Sequence, residues 1–241
     1  MNILIIGAHR GIGAALAKQI EEENKHCLIK ASRTYTHIKQ CNTQTWTVHC
    51  DVTDEPSVQA MKQQLLTLFS NIDWLINCAG ILHSAMYMPE KAIQQINSQQ
   101  MTENFMTNAV GHLQVIKALK SMITSSPHAV VCSVSARIGS IDDNHLGGWY
   151  AYRMSKAALN MGLKSVAIEW ARRHPRVKFL LLHPGTTDTD LSAPFQNNLV
   201  IGQLQSAQTT AHLLLKQIKS HQFHNSQHPL FLDQEGQMIK W

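Results

Sequence analysis

The sequence is poor in charged residues and has no long apolar run. Only 15% of its 241 residues are Asp, Glu, Lys or Arg, whereas 44% are hydrophobic. This composition excludes an intrinsically disordered chain, because enough apolar side chains are present to form a core. No apolar run approaches the roughly 18 residues of a membrane-spanning helix, and the run 3–6 is too short for the core of a signal peptide. We therefore expect a soluble, unprocessed protein with no membrane partner.

Cysteine and clustered positive charge are also scarce. The 21 Lys and Arg residues outnumber the 16 Asp and Glu residues, but they form no basic run interleaved with aromatic residues, so we expect no nucleic-acid partner. The five cysteines form no CxxC pair, which is typical of reduced thiols in a cytoplasmic protein. Internal repeats and linkers rich in Gly, Ser or Pro are absent, so we place no domain boundary in residues 1–241.

Short apolar runs alternate with longer amphipathic segments along the chain. This alternation predicts an α/β fold with a mainly parallel sheet of about seven strands flanked by helices. The predicted strands are 2–6, 27–31, 45–50, 74–77, 129–134, 178–182 and 229–232, and the predicted helices are 11–23, 54–69, 98–123, 150–173 and 206–220. The stretch 185–205 breaks the pattern, and we interpret it as a substrate lid because a connection of this length is usually functional.

A glycine-rich turn follows the first predicted strand directly. Gly7, Gly11 and Gly13 have the spacing GxxxGxG and lead into an apolar helix. Because glycine has no Cβ, the backbone of such a turn can approach a pyrophosphate, and the N-terminus of the helix presents free N–H groups to the anion. The turn predicts a dinucleotide site; the alternative is a glycine turn without a ligand. The residues between the glycines that we also assign to the cofactor are His9, Arg10 and Ile12.

Two arginines bear on the identity of the dinucleotide. A carboxylate at the end of the second strand would bind the free ribose diol of NAD(H), but Arg33 stands at this point. Together with Arg10 it can clamp a 2′-phosphate. We therefore predict a preference for NADP(H), with NAD(H) as a possible cofactor. The alternative for both arginines is a solvated surface position.

Four polar residues form a candidate catalytic set. Tyr152 and Lys156 are one helical turn apart on the same face of a predicted helix. The lysine ammonium is expected to lower the pKa of the phenol, which would then exchange a proton with a substrate oxygen. Ser135 follows a predicted strand, at the end where ligands bind in open parallel sheets. Asn108 lies within a predicted helix; its alternative interpretation is a solvated surface residue.

Taken together, these motifs in this order resemble the short-chain dehydrogenase/reductase family over essentially the whole chain. The resemblance implies a single Rossmann-type, doubly wound domain. It also implies that Asn108, Ser135, Tyr152 and Lys156 form a catalytic tetrad, with Asn108 holding a water in the proton relay. It also implies that Lys156 hydrogen-bonds the nicotinamide ribose. The further residues that it assigns to the cofactor site are Asp51, Val52, Asn77, Ala79, Gly80, Tyr152, Lys156, Pro184, Gly185, Thr187 and Thr189. For Asp51 the alternative is a turn cap, and for Thr189 a loop hydroxyl.

The chain departs from the family pattern at two places. Ile6 stands where the family often has Thr, and Ser135 and Tyr152 are farther apart than in many members. The additional stretch and the ending 236–241 resemble the C-factor and sniffer-like carbonyl reductases. Residues near the lid and the additional stretch that we expect to contact a substrate are Met86, Leu146, Trp149, Leu191 and Phe195.

The resemblance implies an NADPH-dependent oxidoreductase that reduces an aldehyde or ketone to an alcohol, or catalyses the reverse reaction. The alternative is a dinucleotide-binding signalling or regulatory protein of the C-factor type, with little or no turnover. The expected partner is a small-molecule carbonyl or alcohol substrate. The family also implies a homodimer or homotetramer that packs through helices 98–123 and 150–173.

One histidine cluster needs a separate interpretation. His221, His224 and His228 have the spacing HxxHxxxH, which can bring imidazoles together around a metal. The surrounding residues are polar, and neither cysteine nor a carboxylate stands beside them. We therefore predict a polar loop and no metal site.

Overall fold

The computed structural model describes residues 1–221 and 229–241. Its strands are β1 (Asn2–Ile6), β2 (Cys27–Ser32), β3 (Lys39–Gln40), β4 (Thr45–His49), β5 (Trp74–Asn77), β6 (Val130–Val134), β7 (Lys178–Leu182), β8 (Thr186–Thr187), β9 (Leu204–Gln205) and β10 (Leu230–Leu232). Its α-helices are α1 (Gly11–Glu23), α2 (Glu55–Leu66), α3 (Ser98–Phe105), α4 (Gly111–Thr124), α5 (Tyr150–Ala171) and α6 (Ala207–His221). No helix in these ranges is long and apolar enough to cross a lipid bilayer.

Eight strands form one sheet in the order β10-β7-β6-β5-β1-β2-β4-β3. Seven of them are parallel and correspond to the seven predicted strands. The eighth, β3, pairs antiparallel with β4; its two exposed residues carry no apolar signal in the sequence. The chain runs outward from β1 through β2 and β4, then returns and runs the other way through β5 and β6. The resulting switch point lies between β1 and β5, where open parallel sheets bind ligands at the carboxyl ends of their strands.

The sheet is covered by helices on both faces, which explains why its strands read as continuous apolar runs. Alternate residues of β1 point to opposite faces. Leu4 and Ile6 pack with side chains of α2, α4 and α5, whereas Ile3 and Ile5 pack with those of α1 and α6. All four are almost completely buried. The doubly wound α/β prediction is therefore confirmed.

The predicted helix 98–123 contains an irregularity. A π turn at Met106–Val110 separates α3 from α4. Asn108 lies inside this turn. Single π turns within α-helices occur frequently at functional sites.

The segment interpreted as a lid has its own regular structure. Strands β8 and β9 pair parallel to each other in a separate two-stranded sheet, and the 3₁₀ helix Ala193–Asn198 lies between them in the chain. Of the three histidines considered above, His221 ends α6, whereas His224 and His228 lie outside the described residues. Residues 1–221 and 229–241 contain no group of three His, Cys, Asp or Glu side chains able to hold a metal.

Candidate active site

The glycine turn is folded tightly against the edge of the sheet. Gly7 and Gly11 have positive φ angles of 78° and 54°, a region that favours glycine. A Cβ atom on Gly13 would stand 2.3 Å from the carbonyl oxygen of Gly7. All three glycines are therefore required by the backbone itself. Helix α1 begins at Gly11, and no side chain caps its free N–H groups, so the turn offers donors and a partial positive charge to an anion.

The end of β2 carries hydroxyl groups and an arginine. The Ser32 hydroxyl lies 3.1 Å from that of Thr34, and Arg33 between them is exposed. No carboxylate follows β2 before residue 51. Asp51 is engaged elsewhere, because one of its carboxylate oxygens accepts hydrogen bonds from the backbone N–H and the hydroxyl of Thr53. The local environment of β2 therefore suits a phosphate better than a ribose diol.

The lid meets the glycine turn. Arg10 forms an ion pair of 3.2 Å with Asp190, and both side chains are exposed. The Cγ2 methyl of Thr189 lies 3.3 Å from the Cβ position of Gly11. Exposed ion pairs contribute little to stability, so this pairing leaves Arg10 available to a phosphate.

The loop after β5 connects the glycine turn to the candidate catalytic residues. A Cβ atom on Gly7 would lie 3.1 Å from the backbone nitrogen of Ala79, and that nitrogen donates to Oδ1 of Asn77 at 3.0 Å. The side-chain nitrogen of Asn77 is buried without a hydrogen-bond partner in the described structure. Gly80 stands next to Lys156, whose Nζ is 3.7 Å from the Cβ position of Gly80.

Beside this loop, Val52 packs closely against the first residue of α4. A Cβ on Gly111 would lie 2.8 Å from a methyl group of Val52. Val52 is itself buried. The pair therefore fixes the loop after β4 against the helix that follows the π turn.

Asn108 is fully buried, which excludes the alternative of a solvated surface residue. Its Nδ2 donates to the carbonyl oxygen of Ile81 at 2.8 Å, and its Oδ1 accepts from the backbone N–H of Ile81 at 2.8 Å. The same Nδ2 lies 2.9 Å from the hydroxyl of Ser155. The side chain of Asn108 thus ties the loop after β5 to helix α5.

Tyr152 and Lys156 are buried one turn apart on α5. The Nζ of Lys156 lies 5.8 Å from the centroid of the Tyr152 ring and donates to the carbonyl oxygen of Val134 at 2.9 Å. Burial lowers the pKa of Lys156 to about 8. Burial raises the pKa of Tyr152 above its ordinary value, whereas the sequence argument expected the lysine to lower it. Desolvation is the cause of this shift, so the phenol keeps its proton at neutral pH.

The structure does not bring the Ser135 hydroxyl to Tyr152. It is buried and donates to Oδ1 of Asn160 at 2.6 Å. Asn160 lies two helical turns after Tyr152 on α5. Among the described residues, none forms a hydrogen bond with the Tyr152 hydroxyl. Of the four predicted catalytic residues, the structure groups Asn108, Tyr152 and Lys156.

The remaining residues assigned to the cofactor lie at the start of the lid. Pro184 is followed by Gly185, which has a φ of 72° and packs against the side chain of Gln234. The hydroxyl of Thr187 is buried and lies 2.8 Å from that of Thr210 on α6. Thr187 therefore fixes the lid to α6, while Thr189 faces the glycine turn.

One buried residue of the site, His112, was not predicted from the sequence. His112 on α4 has its Nε2 2.9 Å from the carbonyl oxygen of Ala79 and its Nδ1 3.0 Å from the hydroxyl of Ser133. Burial, reinforced by the charge of Lys156, lowers the pKa of His112 to about 3. A carbonyl only accepts, so the neutral ring donates from Nε2 and accepts at Nδ1. His112 lies one helical turn after Asn108, and this spacing was the signal in the sequence that could have placed it at the site.

Three aromatic rings continue from Tyr152 to the lid, and we call them the aromatic wall: Trp149, Phe195 and His83. Trp149 lies 6.4 Å from Tyr152 and 4.8 Å from Phe195 between ring centroids. His83 lies 5.8 Å from Phe195, and its Nε2 is 3.2 Å from the carbonyl oxygens of Asp190 and Leu191. Expected substrate contacts Met86 and Leu146 are almost fully exposed instead.

The backbone at Trp149 is strained. Its φ is 51°, which is uncommon for a residue with a side chain. Glu90, a buried residue, accepts the backbone N–H of Trp149 through its carbonyl and that of Ala151 through its carboxylate. These bonds fix both the ring of Trp149 and the start of the helix that carries Tyr152.

Comparison with known proteins agrees with this arrangement. The family model for short chain dehydrogenase matches residues 1–199. The chain belongs to this family. It is 37% identical over 123 residues to the C-signal of Myxococcus xanthus, covering 51% of this chain and 70% of the relative. The carbonyl reductase Sniffer of D. melanogaster superposes with a TM-score of 0.83 at 23% identity over 100% and 99% of the two chains. An NADPH-bound carbonyl reductase from chicken fatty liver superposes with a TM-score of 0.82 at 22% identity over 99% and 98%.

The expected resemblance to the short-chain dehydrogenases, with a C-factor-like relative, is therefore confirmed, and the chain shares the fold of the Sniffer carbonyl reductase. The protein is a short-chain dehydrogenase/reductase, and its enzyme class is that of the oxidoreductases. In this chain the glycine turn, the loop after β5 and the buried Tyr152–Lys156 pair lie close together at the switch point of the sheet.

Proposed function

We propose that this protein is an NADPH-dependent carbonyl reductase that converts an aldehyde or ketone to an alcohol, or catalyses the reverse. The observation that carries the proposal is the buried Tyr152–Lys156 pair on α5 beside the loop that contacts the glycine turn. A neutral phenol in a desolvated site can act as a proton donor. Reduction of a carbonyl group requires such a donor, whereas binding of a dinucleotide alone does not. We treat residues 1–241 as one domain, with 185–205 as the substrate lid.

The residues present fit the dinucleotide. The turn at Gly7, Gly11 and Gly13 leaves the space and the N–H donors that a pyrophosphate needs. Arg10 and Arg33 are the residues that we propose to bind a 2′-phosphate, since one lies in the turn and the other directly after β2. NADPH bound to the chicken carbonyl reductase supports the preference for NADP(H) over NAD(H). When bound, the reduced nicotinamide supplies a hydride.

The protein supplies position and the proton. As the carbonyl carbon gains hydride, the oxygen becomes negative and takes the proton of Tyr152. Lys156 is held by the carbonyl oxygen of Val134 at 2.9 Å, so its charge is fixed one turn below the phenol. A tyrosinate formed in the step is stabilised by this ammonium. Asn108 holds the loop after β5 against α5, and so fixes the position of that loop relative to the Tyr152–Lys156 pair.

The aromatic wall supports a substrate with a flat apolar body. Trp149 and Phe195 form a continuous surface next to Tyr152, and aromatic rings prefer edge-to-face or offset contact with other rings. We propose an aryl aldehyde or aryl ketone as the substrate class.

The surface of α5 supports assembly into a homodimer, with a homotetramer as the larger alternative. Met154, Met161 and Ile168 repeat every seven residues and expose 55%, 64% and 53% of their surface. Phe105 on the adjacent α3 is 47% exposed. Such a stripe on one helix face is typical of a surface that packs against a second copy. The five cysteines are all free thiols, which supports a cytoplasmic location.

A panel of aldehydes, ketones and quinones tests the function. We expect NADPH oxidation with at least one aryl carbonyl compound and slower oxidation of NADH. The likeness to the C-signal favours a second candidate, a dinucleotide-binding signalling protein. NADPH binding without oxidation by any compound of the panel would support that candidate and contradict the reductase.

A further inference from the structure

We propose that Ser135 anchors helix α5 and that Ala136, not a hydroxyl residue, lines the place where the substrate oxygen meets Tyr152. The carbonyl oxygen is then met by a single side-chain donor, the phenol. This inference rests on the proposed function, because it concerns the oxygen of the reacting carbonyl.

The surroundings of Ser135 show a structural role. Its backbone N–H donates to the carbonyl oxygen of Leu182 at 2.9 Å, so the residue still follows the edge of β7. Its hydroxyl donates to Oδ1 of Asn160 at 2.6 Å, and Nδ2 of Asn160 lies 3.3 Å from the carbonyl oxygen of Gly139. Both side chains are buried. Ser135 and Asn160 thus join the end of β6, the following turn and α5.

The position of Asn160 separates this bond from the phenol. Asn160 is eight residues after Tyr152 on a continuous helix, which corresponds to a rise of about 12 Å. Side chains on a helix lean toward its N-terminus, so the phenol points away from the level of Asn160. This agrees with the absence of any hydrogen bond to the Tyr152 hydroxyl from residues 1–221 and 229–241.

Ala136 directly follows Ser135 in the chain, and its side chain points in the opposite direction. Its backbone is extended, with φ of −153° and ψ of 145°, so its side chain points opposite to that of Ser135. It is only half-buried. The turn Arg137–Gly139 that follows it packs on Lys156, since a Cβ on Gly139 would lie 2.8 Å from the Cβ of Lys156. Ala136 therefore lies at the level of the catalytic pair and presents a methyl group at the carboxyl edge of the sheet.

Two substitutions separate the roles. Loss of one oxyanion donor typically lowers kcat by about 10² to 10³, so a catalytic Ser135 would show this loss in Ser135→Ala. We expect instead that Ser135→Ala lowers the melting temperature and changes kcat by less than about threefold. We expect Ala136→Ser, which adds a hydroxyl beside the phenol, to raise kcat by about tenfold with little change in KM.

The experiment measures kcat, KM, NADPH binding by fluorescence and thermal unfolding for both variants, for Asn160→Ala and for the double variant Ser135→Ala/Asn160→Ala. We expect the two alanine substitutions at Ser135 and Asn160 to be non-additive in unfolding, as required for partners in one hydrogen bond. A hundredfold loss of kcat in Ser135→Ala at unchanged melting temperature would overturn the proposal, and so would additive unfolding effects. If every variant binds NADPH but none turns over a carbonyl compound, the proposed function fails. The unfolding measurements on Ser135→Ala, Asn160→Ala and the double variant then still decide whether Ser135 has a structural role.

Discussion

Replacement of Tyr152 by Phe tests the proton donor directly. The substitution removes one oxygen and keeps the ring that packs beside Trp149. Positioned acid catalysis contributes about 10² to 10⁴ to the rate. We expect a loss near the upper value, because the other hydroxyl of the predicted tetrad, that of Ser135, is bonded to Asn160. A 10⁴-fold loss corresponds to about 5.4 kcal/mol of transition-state stabilisation.

The assay is NADPH oxidation followed by absorbance under saturating carbonyl substrate, with NADPH affinity measured separately by fluorescence. We expect kcat to fall about 10⁴-fold and the affinity for NADPH to stay within about twofold, since the phenol is not among the residues that contact the glycine turn. Tyr150→Phe is the matched control: this residue is two positions earlier on α5 and is only half-buried, and it should retain turnover. Tyr152→Phe with more than a tenth of the original kcat would refute the reasoning.

Four further outcomes follow from the site and the surface. The pKa of Lys156 in the folded state, about 8, is below its value of 10.5 in the unfolded state. The unfolded state therefore binds more protons between these pH values, and the contribution of Lys156 to stability rises with pH across that window. In urea unfolding at pH 7, 8.5 and 10, the free energy of unfolding of the protein minus that of Lys156→Met should increase with pH, and a constant difference would contradict this reasoning. Arg33→Ala should weaken binding of NADPH at least tenfold and binding of NADH hardly at all. Arg173→Ala is the control and should change neither affinity, because Arg173 is an exposed arginine two residues after the end of α5; equal losses for both cofactors in Arg33→Ala would exclude a 2′-phosphate contact. Met161→Glu should shift the sedimentation coefficient from dimer to monomer because it places a charge in the apolar stripe, and an unchanged coefficient would remove α5 from the interface. Trp149→Ala should raise KM for aryl ketones about tenfold and for small aliphatic ketones much less; equal effects on both would argue against the aromatic wall as a substrate contact.

The main sheet could be predicted from the sequence because most of its seven parallel strands are buried on both faces. Runs such as Ile3–Ile6 then carry a continuous apolar signal. The short strand β3 lacks this signal, since both of its residues are exposed and paired only at the edge. The π turn around Asn108 also escaped prediction, because the apolar spacing of α3 and α4 reads as one helix.

Less of the site than of the fold could be predicted from the sequence, because several of its contacts join residues that are far apart in the chain. Motif order located Tyr152 and Lys156, which lie on one helix at a fixed spacing. Which way Ser135 points depends on Asn160, 25 residues later, and no local pattern specifies that bond. The pairing of Trp149 with Phe195 likewise joins residues far apart in the chain. Contacts of this kind depend on the packing of the lid and α5, not on spacing within one element.

Strand β1 lies between β2 and β5 in the sheet, so the residues proposed to select the nucleotide and those proposed to react lie on opposite sides of β1. On one side, β2 ends beside Arg33, the residue that we propose to select the nucleotide. On the other side, β5 leads to the loop that is bound by Asn108, close to the proposed proton donor Tyr152. Because the two ends meet at the glycine turn and at the segment 185–205, and not at the residues that directly follow β2, an engineer could exchange those residues to switch coenzymes and leave the reacting end untouched.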